Sequence, residues 1–132
     1  MSDKSQALIT AVLTTLNAAS AVTAKVGSRI YTDVPDNATF PYMVVTLQSS
    51  PYDTKTETGM EHTLQISSYS RKPDPLEAMQ CRAAVYGALN RNENALSNAS
   101  VYNILFNGVS ALLKEPDGKT WGAVTQFRVV TE

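Results

Sequence analysis

His62 is the only histidine of the chain and Cys81 the only cysteine, so chemistry that depends on either has one position to use. A single cysteine excludes an internal disulfide, and a Cys/His zinc site would lack ligands within one chain. One histidine still suffices for a Ser-His-Asp triad or a Cys-His pair. His62, however, sits in the strand-like run "EHTLQISSYS" (61–70), with neither a nucleophile elbow nor a cysteine-protease signature around it. We read it as a strand histidine, and Cys81 as a small buried apolar residue of a helix.

The remaining candidates reduce to turn chemistry. Asp33, Asp36 and Asn37 flank Pro35 without the spacing of an EF-hand loop. "PDGK" (116–119) lacks the flanking glycines of a phosphate loop and reads as a hairpin turn. The carboxylate pairs Asp53/Glu57 and Glu57/Glu61 lie in or beside a projecting hairpin, where no pocket would tune their pKa values. Asn37-Ala38-Thr39 and Asn98-Ala99-Ser100 match the glycosylation sequon. With no convincing export signal, both count as turn residues. The expectation is no catalytic residue, no metal and no cofactor.

The elements around these residues follow from periodicity. Leu8, Ile9, Val12, Leu13, Leu16 and Ala19 recur every three or four positions and predict a helix over about 4–20, with Asp3 and Gln6 placed to cap its start. The N-terminus has some features of a signal peptide. Asp3, the interrupting threonines and the helical period favour a mature helix. Gly27 ends a short turn, Arg29–Thr32 reads as a strand, and "DVPDNATFP" (33–41) as the loop to a buried strand, Tyr42–Gln48. Residues 49–60 form a polar segment before the half-exposed strand 61–70, which together predict a hairpin with a long projecting tip.

"DPLE" (74–77) starts a second helix that runs to Leu89, with Asp74 capping, Pro75 in the first turn and Glu77 completing the box. Leu76, Met79, Ala83 and Tyr86 make one apolar stripe of this helix, and Ala78, Cys81, Val85 and Leu89 a second. So wide an apolar arc requires cover on two sides. One cover is the sheet; the other is the first helix or a neighbouring subunit. After an Asn-rich connector (90–100) come short strands at Val101–Phe106 and Val109–Leu113 around Asn107-Gly108, then a last strand from Trp121 to Thr131. The order α-β-β-β-α-β-β-β implies an α+β fold, one domain over 1–132: an antiparallel sheet with two helices packed on it.

With 11 basic and 12 acidic residues the net charge is −1, which removes the clustered positive charge that sequence-independent nucleic-acid or membrane binding uses. No stretch approaches the ~20 apolar residues of a membrane span.

The run "GSRIYTDVPDNATFPYMVV" (27–45) closely resembles the tail-completion, or tail-terminator, proteins of long-tailed bacteriophages and gene-transfer particles. The matching positions are Gly27, Arg29, Ile30, Tyr31, Val34, Pro35, Phe40, Pro41, Tyr42 and Val44. The likeness continues in order through the polar hairpin, 61–70, the Ala-rich helix and "EPDGKTWGAVTQFRVVTE" (115–132). It implies a non-enzymatic structural subunit that forms a ring, usually a hexamer, on the head-proximal end of the tail tube. Such a ring stops tube growth and meets the head connector. Its expected partners are copies of itself, the tail tube protein and the connector or neck protein, with no sequence-specific nucleic-acid binding. Its expected place is the virion tail, after assembly in the bacterial host cytoplasm.

A ring needs two different patches per subunit. Tyr52, Asp53, Lys55, Thr56 and Glu57 of the hairpin, with Ala78 and Val85 of the second helix, are the residues expected to supply them. Rival readings are another neck or head-completion protein of the same particle, and a small ligand-binding or hydrolytic domain with a pocket near His62.

Overall fold

The structure, a computed structural model, describes residues 5–53, 58–93, 96 and 101–131. Helices α1 (Ser5–Ala18) and α2 (Ser20–Val26) precede strands β1 (Ile30–Tyr31), β2 (Tyr42–Asp53) and β3 (Thr58–Ser70). Helix α3 (Leu76–Leu89) leads to β4 (Val101–Lys114) and β5 (Trp121–Thr131). The strands form one five-stranded sheet in the order β1-β2-β3-β5-β4, antiparallel except for the β1–β2 pair. The α+β architecture is the expected one.

The parallel β1–β2 pair departs from the expected all-antiparallel sheet, and three further details differ. The first helix is two helices, bent by 83° at Ala19, whose backbone is extended (φ −80°, ψ 113°). Thr14, Thr15 and Asn17 hydrogen-bond back to the carbonyls of Thr10, Ala11 and Leu13, the kind of local competition that loosens a helix end. A straight continuation would carry Val22 and Val26 about 5–12 Å past the break at 1.5 Å per residue. The bend instead returns both to the core, fully buried. Gly27 then stops α2 at φ +60°, where a side chain would be strained, and its N–H bonds to the Thr23 carbonyl at 2.9 Å.

The second difference is at Asn107-Gly108, read from sequence as a turn between two strands. There β4 runs on as one strand, with an irregularity between Phe106 and Ser110. Pairing along β5 absorbs the turn signal as a bulge. Third, the polar segment 49–60 is mostly strand, because β2 and β3 stay paired as far as Asp53↔Thr58. Only 54–57 separates them, and the last pairs lie beyond Met60↔Thr131, where β5 ends. The projecting arm is thus a paired ribbon.

The core lies between the sheet and the helices. Leu8, Val12 and Leu16 of α1 meet Met43, Val45, Leu64 and Ile66 of the sheet, and Cys81, Val85 and Leu89 of α3 complete it with Ile104, Phe127 and Val129. On β5, Ala123, Thr125, Phe127, Val129 and Thr131 are buried at the two-residue period of a sheet covered on one side, with Gly122 buried besides. The Asp3 part of the expected helix cap lies outside the described residues. At α3, Asp74 Oδ1 accepts the Leu76 N–H at 3.0 Å, but Glu77 does not close a box. It accepts the Ser70 hydroxyl at 2.7 Å and pairs with Lys72 at 3.6 Å, pinning the helix start to β3.

The β4–β5 turn is held by Asp117, which accepts the N–H groups of Lys119 (2.8 Å) and Thr120 (2.9 Å) and the Thr120 hydroxyl (2.7 Å). These bonds to the ionised form lower its pKa from 3.8 to about 2. Its contribution to stability is therefore present above the unfolded value and lost as pH falls toward the folded one. A carboxyl titration of the folded protein by NMR is expected to place Asp117 near 2; a midpoint at the ordinary value would show the turn bonds to be absent in solution.

Candidate functional site

β3 and β2 bring His62 and Ser49 together across a register pair, with Ser49 Oγ 2.6 Å from His62 Nδ1. The other ring nitrogen, Nε2, lies 3.0 Å from the Thr131 hydroxyl on β5. This is the separation of a nucleophile and its base. In a triad, however, a carboxylate orients the imidazole through its second nitrogen, and here that nitrogen meets a hydroxyl. His62 lies in a strand, as read from the sequence, and its ring is fully buried, stitching three strands together. Cys81 is likewise buried, and burial raises its pKa to about 11, with Glu77 adding to the rise and Lys25 opposing it. A thiol so placed carries almost no nucleophilic thiolate near neutral pH. Among the described residues no group of three or more His, Cys, Asp or Glu is positioned to hold a metal ion.

The resemblance positions acquire a physical role at one end of the sheet. Arg29 Nε donates to the Pro41 carbonyl at 2.9 Å, and Met43 N–H donates to the Arg29 carbonyl at 2.9 Å, tying the start of β1 to the start of β2. Tyr42 is the hub of an aromatic cluster, its ring centre 6.0 Å from that of Tyr31, 4.9 Å from Phe40 and 5.4 Å from Tyr69. Arg71 lies 4.4 Å over the Phe40 ring. Burial, and then the neighbouring Tyr69, raise the Tyr42 pKa. Tyr69 in turn crosses Gly122, its register partner on β5, so closely that a Cβ there would sit 3.2 Å from the ring and 3.0 Å from Glu115. The interrupted segment 32–41 thus connects two parallel neighbours, crossing back so that its closing Phe-Pro-Tyr completes this cluster.

Most of the molecule's open chemistry is surface. The sheet face away from the helices carries Thr46, Gln48, Thr63, Gln65, Val124, Gln126 and Val130, together with the ion pair Arg128–Glu61 at 2.8 Å. Gln126 Nε2 donates to Gln65 Oε1 at 2.9 Å, a cross-strand amide pair. Beside α1, Gln6, Ile9, Thr10, Val45, Leu47 and Ser49 line an open groove of about 740 Å³, with no charged side chain among the described residues that line it.

α3 settles which of its two stripes faces inward. Ala78 and Val85, expected at an interface, are 0 % and 1 % exposed inside the chain's own core, so the stripe left open on the helix is the other one. Leu76 is 58 %, Met79 38 % and Tyr86 44 % exposed, with Ala83 exposed between them. Tyr52 and Asp53 stand at the end of β2, and Lys55, Thr56 and Glu57 lie outside the described residues. Leu96, in the Asn-rich connector, is fully buried. A lone leucine among polar residues was the only sequence signal for it.

What the fold and these surfaces define is a two-layer α+β subunit distinguished by what it leaves uncovered. The family model for tail completion protein gp17 matches residues 10–132, and the chain belongs to that family. It is a structural virion protein of the tail-completion kind, as the resemblance of 27–45 implied. It is similar in fold to a chain in the virion of a native gene transfer agent particle, with a TM-score of 0.84, 20 % identity and coverage of 98 % of each chain. No curated protein matches it.

Proposed function

We propose that copies of this chain form a ring, hexameric, which caps the head-proximal end of the tail tube, ends its polymerisation and presents the surface that joins the head. The observation that supports this most directly is the apolar stripe of Leu76, Met79 and Tyr86 left on the outside of α3. Contiguous apolar surface on a family of assembly proteins marks a contact. The projecting β2–β3 arm is a second, separate feature, and two unlike patches are what a head-to-tail ring requires. Contacts of standard size would bury about 800 Å² on each partner. No catalysis enters this reading: the subunit acts by docking. A near-neutral chain also suits a channel through which DNA passes without adhering.

The test is native mass spectrometry over rising concentration, alone and with tail tube protein. A hexamer mass and tubes of defined length are expected. A second arm replaces 54–57 with a two-residue Asn-Gly turn, which keeps the hairpin but shortens its tip. This variant is expected to fold and fail to complete tails. A wild-type chain that stays monomeric throughout and leaves tube growth unchanged refutes the ring. Preferential capture by the connector over the tube would favour a neck protein instead.

A further inference from the structure

We infer that neighbouring copies in the proposed ring join by strand pairing: the outer edge of β2 on one copy, from Val45 to Gln48, adds to the outer edge of β4 on the next. This rests on the ring reading and specifies its contact. Among the described residues, β1 pairs β2 only at Met43 and Val44, and no other strand of the sheet flanks β2 on that side. Since the Met43 N–H points toward β1, the alternation of a strand turns the peptide groups of Leu47 outward as well. An exposed strand edge is a template for another extended chain, and proteins usually blunt it.

The other edge of the sheet is blunted over half its length. Arg91 N–H donates to the Ile104 carbonyl at 3.0 Å, Glu93 Oε2 accepts the Ile104 N–H at 3.3 Å and Asn90 Oδ1 accepts the Phe106 N–H at 2.9 Å. The chain thereby caps its own β4 before the bulge. Past the bulge, register with β5 turns the peptide groups of Leu112 and Lys114 outward, and no strand covers them among the described residues. One sheet therefore carries two incomplete edges, one on each side. Edge-to-edge contact between them is heterologous, the type that closes into rings, and the strand directions make it antiparallel.

Charge favours a second copy as the occupant. Among the described residues, the exposed charges beside the β1–β2 edge are Asp33 and Asp36, whereas those on the β4 edge are Arg91 and Lys114. The nearby Arg29 and Glu93 hydrogen-bond to the neutral Pro41 carbonyl and Ile104 N–H and keep their charges, which leaves a negative excess on the β1–β2 edge and a positive excess on the β4 edge. Opposite signs on the two edges steer unlike edges together and keep like edges apart.

The test uses the full chain in a Cys81→Ala background. Gln48→Cys and Leu113→Cys place thiols on the same open face, one on each edge, and the two single variants are mixed under oxidation. Gln48–Leu113 cross-linked dimers in the mixture, absent from either variant alone, are expected. In parallel, Lys114→Pro removes an outward N–H at the strand end and is expected to weaken assembly at least tenfold while circular dichroism is unchanged. Reversing Asp33 and Asp36 to Lys is expected to weaken it too, with recovery when the partner copies carry Arg91→Glu and Lys114→Glu. If the wild type forms its ring but the mixture does not cross-link and Lys114→Pro assembles normally, edge pairing is wrong and the ring stands. If the wild type forms no oligomer, the ring reading and the pairing fall together.

Discussion

Phe127→Ala is expected to remove about 3–5 kcal/mol of folding stability, the cost of truncating a fully buried aromatic that its surroundings do not refill. Phe127 is the largest of the fully buried side chains. It lies on β5 between Leu64 of β3 and Phe106 of β4, its register partners on either side, with the Phe106 ring edge-on at 6.4 Å. Both neighbouring strands are fixed by pairing along most of their length, so the backbone has little freedom to close the void. Because small domains hold only about 5–15 kcal/mol in all, such a loss takes a large share of the total. Urea denaturation checks it: the midpoint should fall with an unchanged slope, as for a stability change without a change in the unfolded state. A loss below about 1 kcal/mol would mean the two layers slide together to fill the space, and that the core is less tightly built than the burial of its side chains implies.

The second large effect concerns assembly instead of folding. Met79→Glu combined with Ala83→Lys removes the centre of the exposed α3 stripe and installs a Glu–Lys pair four residues apart, the orientation that supports a helix. Both positions are exposed, and neither belongs to the buried stripe of Ala78, Cys81, Val85 and Leu89. Stability is therefore expected to change by no more than about 0.5 kcal/mol. If the stripe is a ring contact, two charges now enter a desolvated interface. Association should weaken by on the order of 2 kcal/mol or more, about 30-fold in dissociation constant. Sedimentation or native mass spectrometry reads the association, and thermal unfolding reads the control. Normal assembly by a normally folded variant would free α3 from any role in the ring and leave the sheet edges and the hairpin arm as its contacts.

The two α3 stripes show where sequence reasoning reaches its limit. Both are apolar and evenly spaced, so periodicity finds the helix and its wide apolar arc, yet is silent on which side the sheet will take. Ala78 and Val85, expected as contact residues, lie on the stripe that the sheet takes. Met79 and Tyr86, which remain outside, are as hydrophobic as much of the core. The histidine reading fared better for a local reason: alternation along 61–70 puts His62 on the same side as Leu64 and Ile66, hence inward.

What the sequence alone determined is what depends on neighbours a few residues away. The helical period of α1 and α3, the alternation of β3 and β5, the turn at 115–120 and the ordered motif of the tail-completion family are all of this kind. What the tertiary structure decided is what depends on distant partners. Ala19 breaks a run whose local propensity is helical, because Val22 and Val26 gain a core only by turning back. Asn107-Gly108 forms no turn, because ten register pairs with β5 hold β4 together on either side of it. β1 lies parallel to β2, and the two sheet edges stay half-open, because pairing is an agreement between segments that no single segment encodes.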